Sequence, residues 1–288
     1  MKIVINPEKC VHCGLCASAC PAHLFRQEGT SPAEIPSDRG CIGCGHCVCF
    51  CPAHAVAHDD FPPEKQRPVT DSDLNWEEFY KVIQQRRSVR HFQKKPVPRE
   101  MLQHIVEAAQ LAPTACNHRD VQWVAVTNSE ILSKVQEYTL DTLRGGCNKL
   151  KTPLVVCIAK LFPKSEAGQM MPMLPFLESV LKLADTQDVV LFDAPAVLFA
   201  HYAPDAGRYA EIDAQLALQN AALAAVAQGL GTFYTGFVVR AADSDPRFRT
   251  LLNIPADRKI AGGMTVGYPA VKYHSLPVRE YPPVEFLE

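Results

Sequence analysis

Nine of the chain's twelve cysteines fall within its first 51 residues, in two runs: CVHCGLCASACPAHLF from Cys10 and CIGCGHCVCFCPAHAV from Cys41. Each run spells C-x2-C-x2-C-x3-C followed by proline: Cys10, Cys13, Cys16, Cys20 and Pro21, then Cys41, Cys44, Cys47, Cys51 and Pro52. Thiols at this density make disulfides, hold zinc or hold iron–sulfur clusters. The opening MKIVINPEKC lacks the apolar stretch and cleavage site of a secretory signal, and cytosolic thiols stay reduced, which argues against disulfides. Zinc needs four ligands per ion, so eight regular cysteines could hold two ions. The spacing argues for iron–sulfur. Three cysteines at intervals of three wrap one face of a cubane, and the fourth reaches more easily to a second cluster than to its own. A zinc ribbon stays open as the alternative, and it predicts a colourless segment without acid-labile sulfide.

Over about residues 1–60 this pattern resembles the bacterial two-cluster ferredoxins. The resemblance implies two [4Fe-4S] clusters. Cys10, Cys13, Cys16 and Cys51 would hold one, and Cys41, Cys44, Cys47 and Cys20 the other. Gly14, Ala17, Gly43 and Gly45 between the ligands leave room for backbone N–H groups to approach sulfur. Cys49 interrupts the second spacer and reads as a small packed side chain rather than a ligand. His23 and His54, at matching C-P-A-H positions, read as surface-turn residues. A unit this small gains stability from its metal.

A second set of candidate residues lies further on, and ordinary elements must position it. Residues 61–73, with several prolines and charges and no periodicity, read as a linker between a 1–60 domain and a 74–288 domain. Trp76, Phe79, Tyr80 and Ile83 recur at helical spacing, with Asn75 and Glu78 placed as a capping box. The stretch REMLQHIVEAAQLAP predicts a second helix ending by Pro113. VQWVAVT, PLVVCIA, PAVLFAHYA, GTFYTGFVV and AGGMTVGYP predict about five strands. AEIDAQLALQNAALAAVAQGLG is apolar nearly all round, which predicts a buried helix at the domain's centre or at a dimer contact. The Met- and Pro-rich stretch 162–185 reads as a helical excursion or a cover over a ligand.

In this order the landmarks resemble the nitroreductase family of FMN flavoproteins, from about Leu74 to Glu288. The resemblance implies an α+β fold, an α/β sandwich around a central, mostly antiparallel sheet. RRSVR looks like the family's first flavin segment, with Arg86 and Arg90 toward phosphate and the flavin's polar edge, Ser88 adding a hydroxyl and Arg87 contributing mainly through its backbone. APTACN looks like the second, in which Pro113, Thr114, Ala115 and Asn117 would meet the flavin of a partner subunit. GLGTFYTGF would place Tyr234, Thr235 and Gly236 beneath the ring, and Arg279 is the best match to the closing phosphate segment. The run HRDVQW after Asn117 departs from the family pattern, as does Thr235, where many relatives carry an acidic residue.

Together the two halves imply an oxidoreductase that takes electrons at the clusters and passes them through FMN to a small organic acceptor such as a nitroaromatic or quinone. The expected partners are a second copy of the chain and a low-potential donor such as a ferredoxin, with NAD(P)H as another donor. Alternatives are a non-catalytic carrier or redox sensor, or a flavin-modifying or dehalogenating enzyme. A net charge of -2 offers no electrostatic case for nucleic acid or an anionic membrane, and no apolar run approaches the ~20 residues of a bilayer span, so the expected location is the cytoplasm.

Overall fold

The structure is a computed structural model, and it describes residues 2–37, 40–69 and 75–287. The chain forms two compact units. The first comprises Met1–Leu74 together with Thr114–Arg119, and the second comprises Asn75–Pro113 and Asp120–Glu288. Residues 70–73, the end of the expected linker, lie outside the described residues, as does Leu74.

In the first unit the two cysteine runs build the same motif twice. Strand β1 (Ile3–Ile5) precedes the first run, and helix α1 (Leu15–Ala19) lies within it. Helix α2 (His46–Cys49) lies within the second run, and strand β2 (Val56–His58) follows it. β1 and β2 pair antiparallel, Ile3 with His58 and Ile5 with Val56, so the two ends of the unit close on each other. Its core is small: Ile3, Phe25, Val48 and Val56 with Cys20 and Cys47.

The second unit begins with α3 (Trp76–Gln85), where the Asn75 side chain accepts the Glu78 N–H as the sequence predicts. α4 (Arg99–Ala109), β3 (Gln122–Val126) and α5 (Ser129–Leu150) follow. PLVVCIA is not a strand. It forms helix α6 (Pro153–Leu161), with Pro153 in the first turn, where its missing N–H costs no hydrogen bond. The stretch 162–185 is a helical excursion, with α7 (Glu166–Met170) and α8 (Leu174–Leu183). Then come β4 (Ala196–Tyr202) and α9 (Ala210–Ala227), followed by β5 (Gly231–Tyr234), α10 (Gly236–Ser244), α11 (Arg247–Leu252) and β6 (Lys259–Gly267). GTFYTGFVV therefore divides, strand to Tyr234 and helix from Gly236.

Four of the expected five strands form one sheet, in the order β3-β4-β6-β5, with every neighbour antiparallel. The period-two alternation of β4 shows how it is covered. Ala196, Leu198, Ala200 and Tyr202 face a core made with α4 and α9, whereas Val197 and Phe199 face a second core made with α5, α10 and α11. A strand covered on both faces has no polar side, which is why PAVLFAHYA shows no apolar–polar alternation. α9 turns Ala214, Ala217, Leu218, Ala221 and Ala225 inward. Its approach to the sheet is close: a Cβ at Gly262 of β6 would collide with Leu218 Cδ1. On its other side α9 leaves Ile212 and Leu216 exposed in the single chain.

Candidate functional site

Gly14 (φ 72°) and Gly45 (φ 77°) sit at the N-termini of α1 and α2 in the left-handed conformation, which side chains rarely adopt. This turn starts a helix directly after the second cysteine of each run and places Cys16 and Cys47 on it. The Cys-Pro-Ala-His turns then reverse the chain through His23 and His54, both at positive φ and both exposed. Each turn brings the N–H four residues on to the last sulfur: Leu24 donates to Cys20 Sγ at 3.5 Å, and Ala55 to Cys51 Sγ at 3.1 Å.

The sulfurs line two small cages. One is walled by Cys10, Cys13, Cys16 and Cys51, the other by Cys20, Cys41, Cys44 and Cys47. Each cage thus takes three cysteines from one run and the fourth from the other. Among the described residues no three His, Cys, Asp or Glu side chains converge on a single-ion site. What the chain offers is two small, largely apolar cages with four cysteine sulfurs each, a donor set that suits a polynuclear iron–sulfur centre. Burial pushes the Cys16 thiol above its ordinary value, and burial with Cys41 and Cys44 alongside pushes Cys47 up to about 11. Those two thiols are neutral at pH 7 without metal, so binding a cluster must expel their protons. Cys49 is exposed and lines neither cage.

The structure adds a residue that the sequence does not single out. His58 is buried at the end of β2. Its Nδ1 accepts the Asp60 N–H at 3.1 Å, and its Nε2 lies 3.7 Å from Cys41 Sγ. A lone histidine seven residues past the last cysteine carries no motif; only the β1–β2 pairing brings it back over the second run.

In the second unit, the residues following α3 run alongside β5. Ser88 bridges Thr232, and Val89 donates its N–H to the Thr232 carbonyl at 2.9 Å. Gly231 permits this approach, since a Cβ there would lie 2.7 Å from the Val89 side chain. The Arg86–Arg90 segment is thereby brought to β5, with Arg86 near enough to Tyr234 to act on its charge. The Arg90 guanidinium lies over the rings of Phe192 and Phe233. Burial pushes the Tyr234 phenol up, and the nearby Arg86 pulls it partly back. Arg87 Nε is buried with no hydrogen-bond partner among the described residues. Three guanidinium groups, one with an unmet buried donor, fit an anionic group such as a phosphate.

Thr235, expected beneath the ring, follows Tyr234 at the end of β5. Its side chain packs inward against Gly263 and its hydroxyl is buried with no partner among the described residues, while its N–H donates to the Gly263 carbonyl at 2.8 Å. The donors that remain for a ligand here are the first N–H groups of α10, beginning at Gly236, which no side chain caps. The second expected segment is not brought to this strand within the second unit. Thr114, Ala115 and Asn117 belong to the first unit, where Asn117 Nδ2 donates to the carbonyls of Ile42 and Gly43. Pro113 precedes that excursion. Arg279 lies in the exposed C-terminal stretch, which Tyr281 ties to α3 through its hydroxyl, 2.8 Å from that of Tyr80.

Asp120, where the chain returns to the second unit, is also unmarked in the sequence. Its carboxylate pairs with the buried Arg258 at 3.0 Å and accepts the Ala203 N–H at 2.6 Å, while Arg258 Nε donates to His201 Nδ1 at 2.7 Å. Every member has a partner, so this network fixes β4 against the start of β6 rather than offering a reactive group.

The sequence profile of the nitroreductase family matches residues 83–268, and that of the 4Fe-4S binding domain matches residues 3–24. The chain is 27% identical over 201 residues to iodotyrosine deiodinase 1 of Sus scrofa, covering 67% of this chain and 62% of that protein. It is 26% identical over 198 residues to an FMN reductase [NAD(P)H] of Bacillus subtilis (strain 168), covering 67% of this chain and 66% of that one. In fold it is similar to a nitroreductase with bound FMN from Bacteroides fragilis NCTC 9343, with a TM-score of 0.54 and 22% identity over 72% of this chain and 99% of that one.

Proposed function

The chain belongs to the nitroreductase family, and from this premise we propose that it takes single electrons at two [4Fe-4S] clusters and delivers them through FMN to a small organic acceptor such as a nitroaromatic or quinone. The observation that carries the reading is the pair of four-cysteine cages in the same polypeptide as a nitroreductase-family domain. FMN, when bound, exchanges electrons singly or in pairs, which lets one-electron centres serve a two-electron acceptor.

The protein's part is to bind and orient. Arg86, Arg87 and Arg90 hold phosphate and the flavin's polar edge, with Ser88 adding a hydroxyl and Arg279 as a further phosphate ligand. Tyr234, Thr235 and Gly236 line the ring, and the open N-terminal turn of α10 supplies backbone donors. Pro113, Thr114, Ala115 and Asn117 serve the flavin of a second subunit, so the assembly is a homodimer. The exposed apolar side chains of α3 and α9, Trp76, Phe79, Ile212 and Leu216 among them, support that reading. The electron donor is a low-potential one-electron carrier such as a ferredoxin, with NAD(P)H as the alternative, and the setting is cytoplasmic. No described helix is long and apolar enough to cross a membrane.

The test uses the full chain, purified without oxygen, with iron, sulfide and flavin assayed on one sample. Acceptor turnover should run faster from reduced ferredoxin than from NADH. Cys47→Ala should abolish ferredoxin-driven turnover yet leave the flavin reducible by a small chemical reductant. Removing the chain up to residue 70 is a poorer test, because Thr114–Arg119 would lose the rest of its unit. A second reading, reductive dehalogenation of an aromatic substrate, is supported by the likeness to iodotyrosine deiodinase. Halide release from halogenated phenols under the same reductant separates it from nitro or quinone reduction.

A further inference from the structure

The two cages differ in burial. Cys20 and Cys47 are buried, whereas Cys13 is exposed and Cys10, Cys16 and Cys51 are partly so. A cluster with four thiolate ligands becomes more negative on reduction. Removing it from water therefore makes reduction harder, while hydrogen bonds to its sulfurs make reduction easier. On burial alone, the centre held by Cys20, Cys41, Cys44 and Cys47 would be the harder one to reduce.

The structure places donors at that cage. Leu24 N–H points at Cys20 Sγ (3.5 Å) and Gly43 N–H at Cys41 Sγ (3.4 Å), and the His58 ring meets Cys41 Sγ at 3.7 Å. Because His58 Nδ1 accepts from the Asp60 amide, the proton of the neutral ring sits on Nε2, the nitrogen that faces sulfur. The ring is held in that pose by burial and by Phe61, whose own ring packs at 5.0 Å. Phe61 in turn fills the space beside Gly45. Among the described residues no side chain donates to a sulfur of the other cage, although Gln27 lines it. At the corresponding position of the first run, seven residues after the fourth cysteine, stands Gln27, whose amide donates to the carbonyls of His12 and Ser31 instead. Its sulfurs receive the Ala55 N–H, at Cys51.

We propose that His58 is a positioning residue for the more buried cluster: its Nε2–H donates to the Cys41 thiolate and holds that centre's reduction potential up, so that one of the two clusters is tuned by a side chain and the other is not. The proposal rests on the two-cluster reading above.

The experiment is an anaerobic redox titration of the full-length protein, followed by electron paramagnetic resonance, for wild type, His58→Leu and His58→Gln, with iron and sulfide measured first. Fewer than two clusters in the wild type sinks the two-cluster reading itself. With both clusters present, His58→Leu should lower the potential of one cluster, so that its reduced-to-oxidised ratio at a fixed poise falls about tenfold, ~59 mV for one electron. The other should stay in place. His58→Gln, which can present an amide N–H, should recover part of the shift. Unchanged potentials in a fully loaded His58→Leu, or equal shifts of both clusters, overturn the proposal. A third readout does not depend on how the variants fold. Wild-type protein carrying 15N-histidine should show nitrogen coupling to one reduced cluster by pulsed resonance, and a spectrum without it overturns the assignment.

Discussion

Single residues separate what spacing reveals from what only folding reveals. The C-x2-C-x2-C-x3-C-P runs marked all eight cage cysteines, and the cages assemble with the fourth cysteine crossed between runs. Cys20→Ala should therefore strip iron from the cage built on Cys41, Cys44 and Cys47, while Cys49→Ala should spare both; iron and sulfide per chain decide it. Equal losses in the two variants would show the crossing to be misassigned. His58 and Asp120 were illegible for one physical reason. Each acts on a partner distant in sequence, Cys41 in one case and Arg258 in the other, and neither sits in a repeat or a periodic face. The Asp120–Arg258–His201 network also sets a pH dependence. Burial, with Arg258 alongside, lowers the basicity of His201 below its ordinary value near 6.5. The folded state then binds fewer protons than the unfolded chain, so stability holds above about pH 6.5 and declines as pH falls below it. Chemical denaturation at pH 7.5 and 5.5 should show that decline, and Asp120→Ala, which strands the buried Arg258 charge, should cost about 3 kcal/mol at pH 7.5.

At the scale of elements, helices with caps were easier to read than strands. Asn75 announced α3, and the apolar spacing of Leu102, Ile105 and Ala109 announced α4. PLVVCIA misled because a short β-branched run has no helix signature of its own, and the proline that opens it serves a first helical turn as well as a strand start. GTFYTGFVV misled because one apolar run spans both a strand and a helix, joined at Thr235. The approach of the Arg86–Arg90 segment to β5 has a visible control point in Gly231. Gly231→Ala should push Val89 away from the strand and cut bound flavin several-fold, with a loss of about 1–3 kcal/mol from crowding. Flavin per chain and thermal unfolding, measured together, separate a displaced segment from a general loss of fold. If flavin content tracks stability alone, the segment is not a flavin ligand.

For the whole molecule, the division of the chain was only partly visible. Composition placed a break near residue 60, but nothing in APTACN signals that Thr114–Arg119 belongs with the first unit. Within that unit Asn117 reaches the carbonyls of Ile42 and Gly43, a side chain-to-backbone bond that leaves no pattern in sequence. On the proposed assembly, sedimentation of the full-length protein at micromolar concentration should give a dimer with two flavins; a monomer retaining full flavin would rule out shared sites. The crossed cysteines carry a last consequence, for how the protein fills when iron is scarce. Neither run can complete a cage unless the other has folded against it, so the first cluster to arrive closes the unit and organises the second cage. Metallation should then be nearly all-or-none: native mass spectrometry of iron-starved material should find bare and fully loaded chains, with few caught halfway.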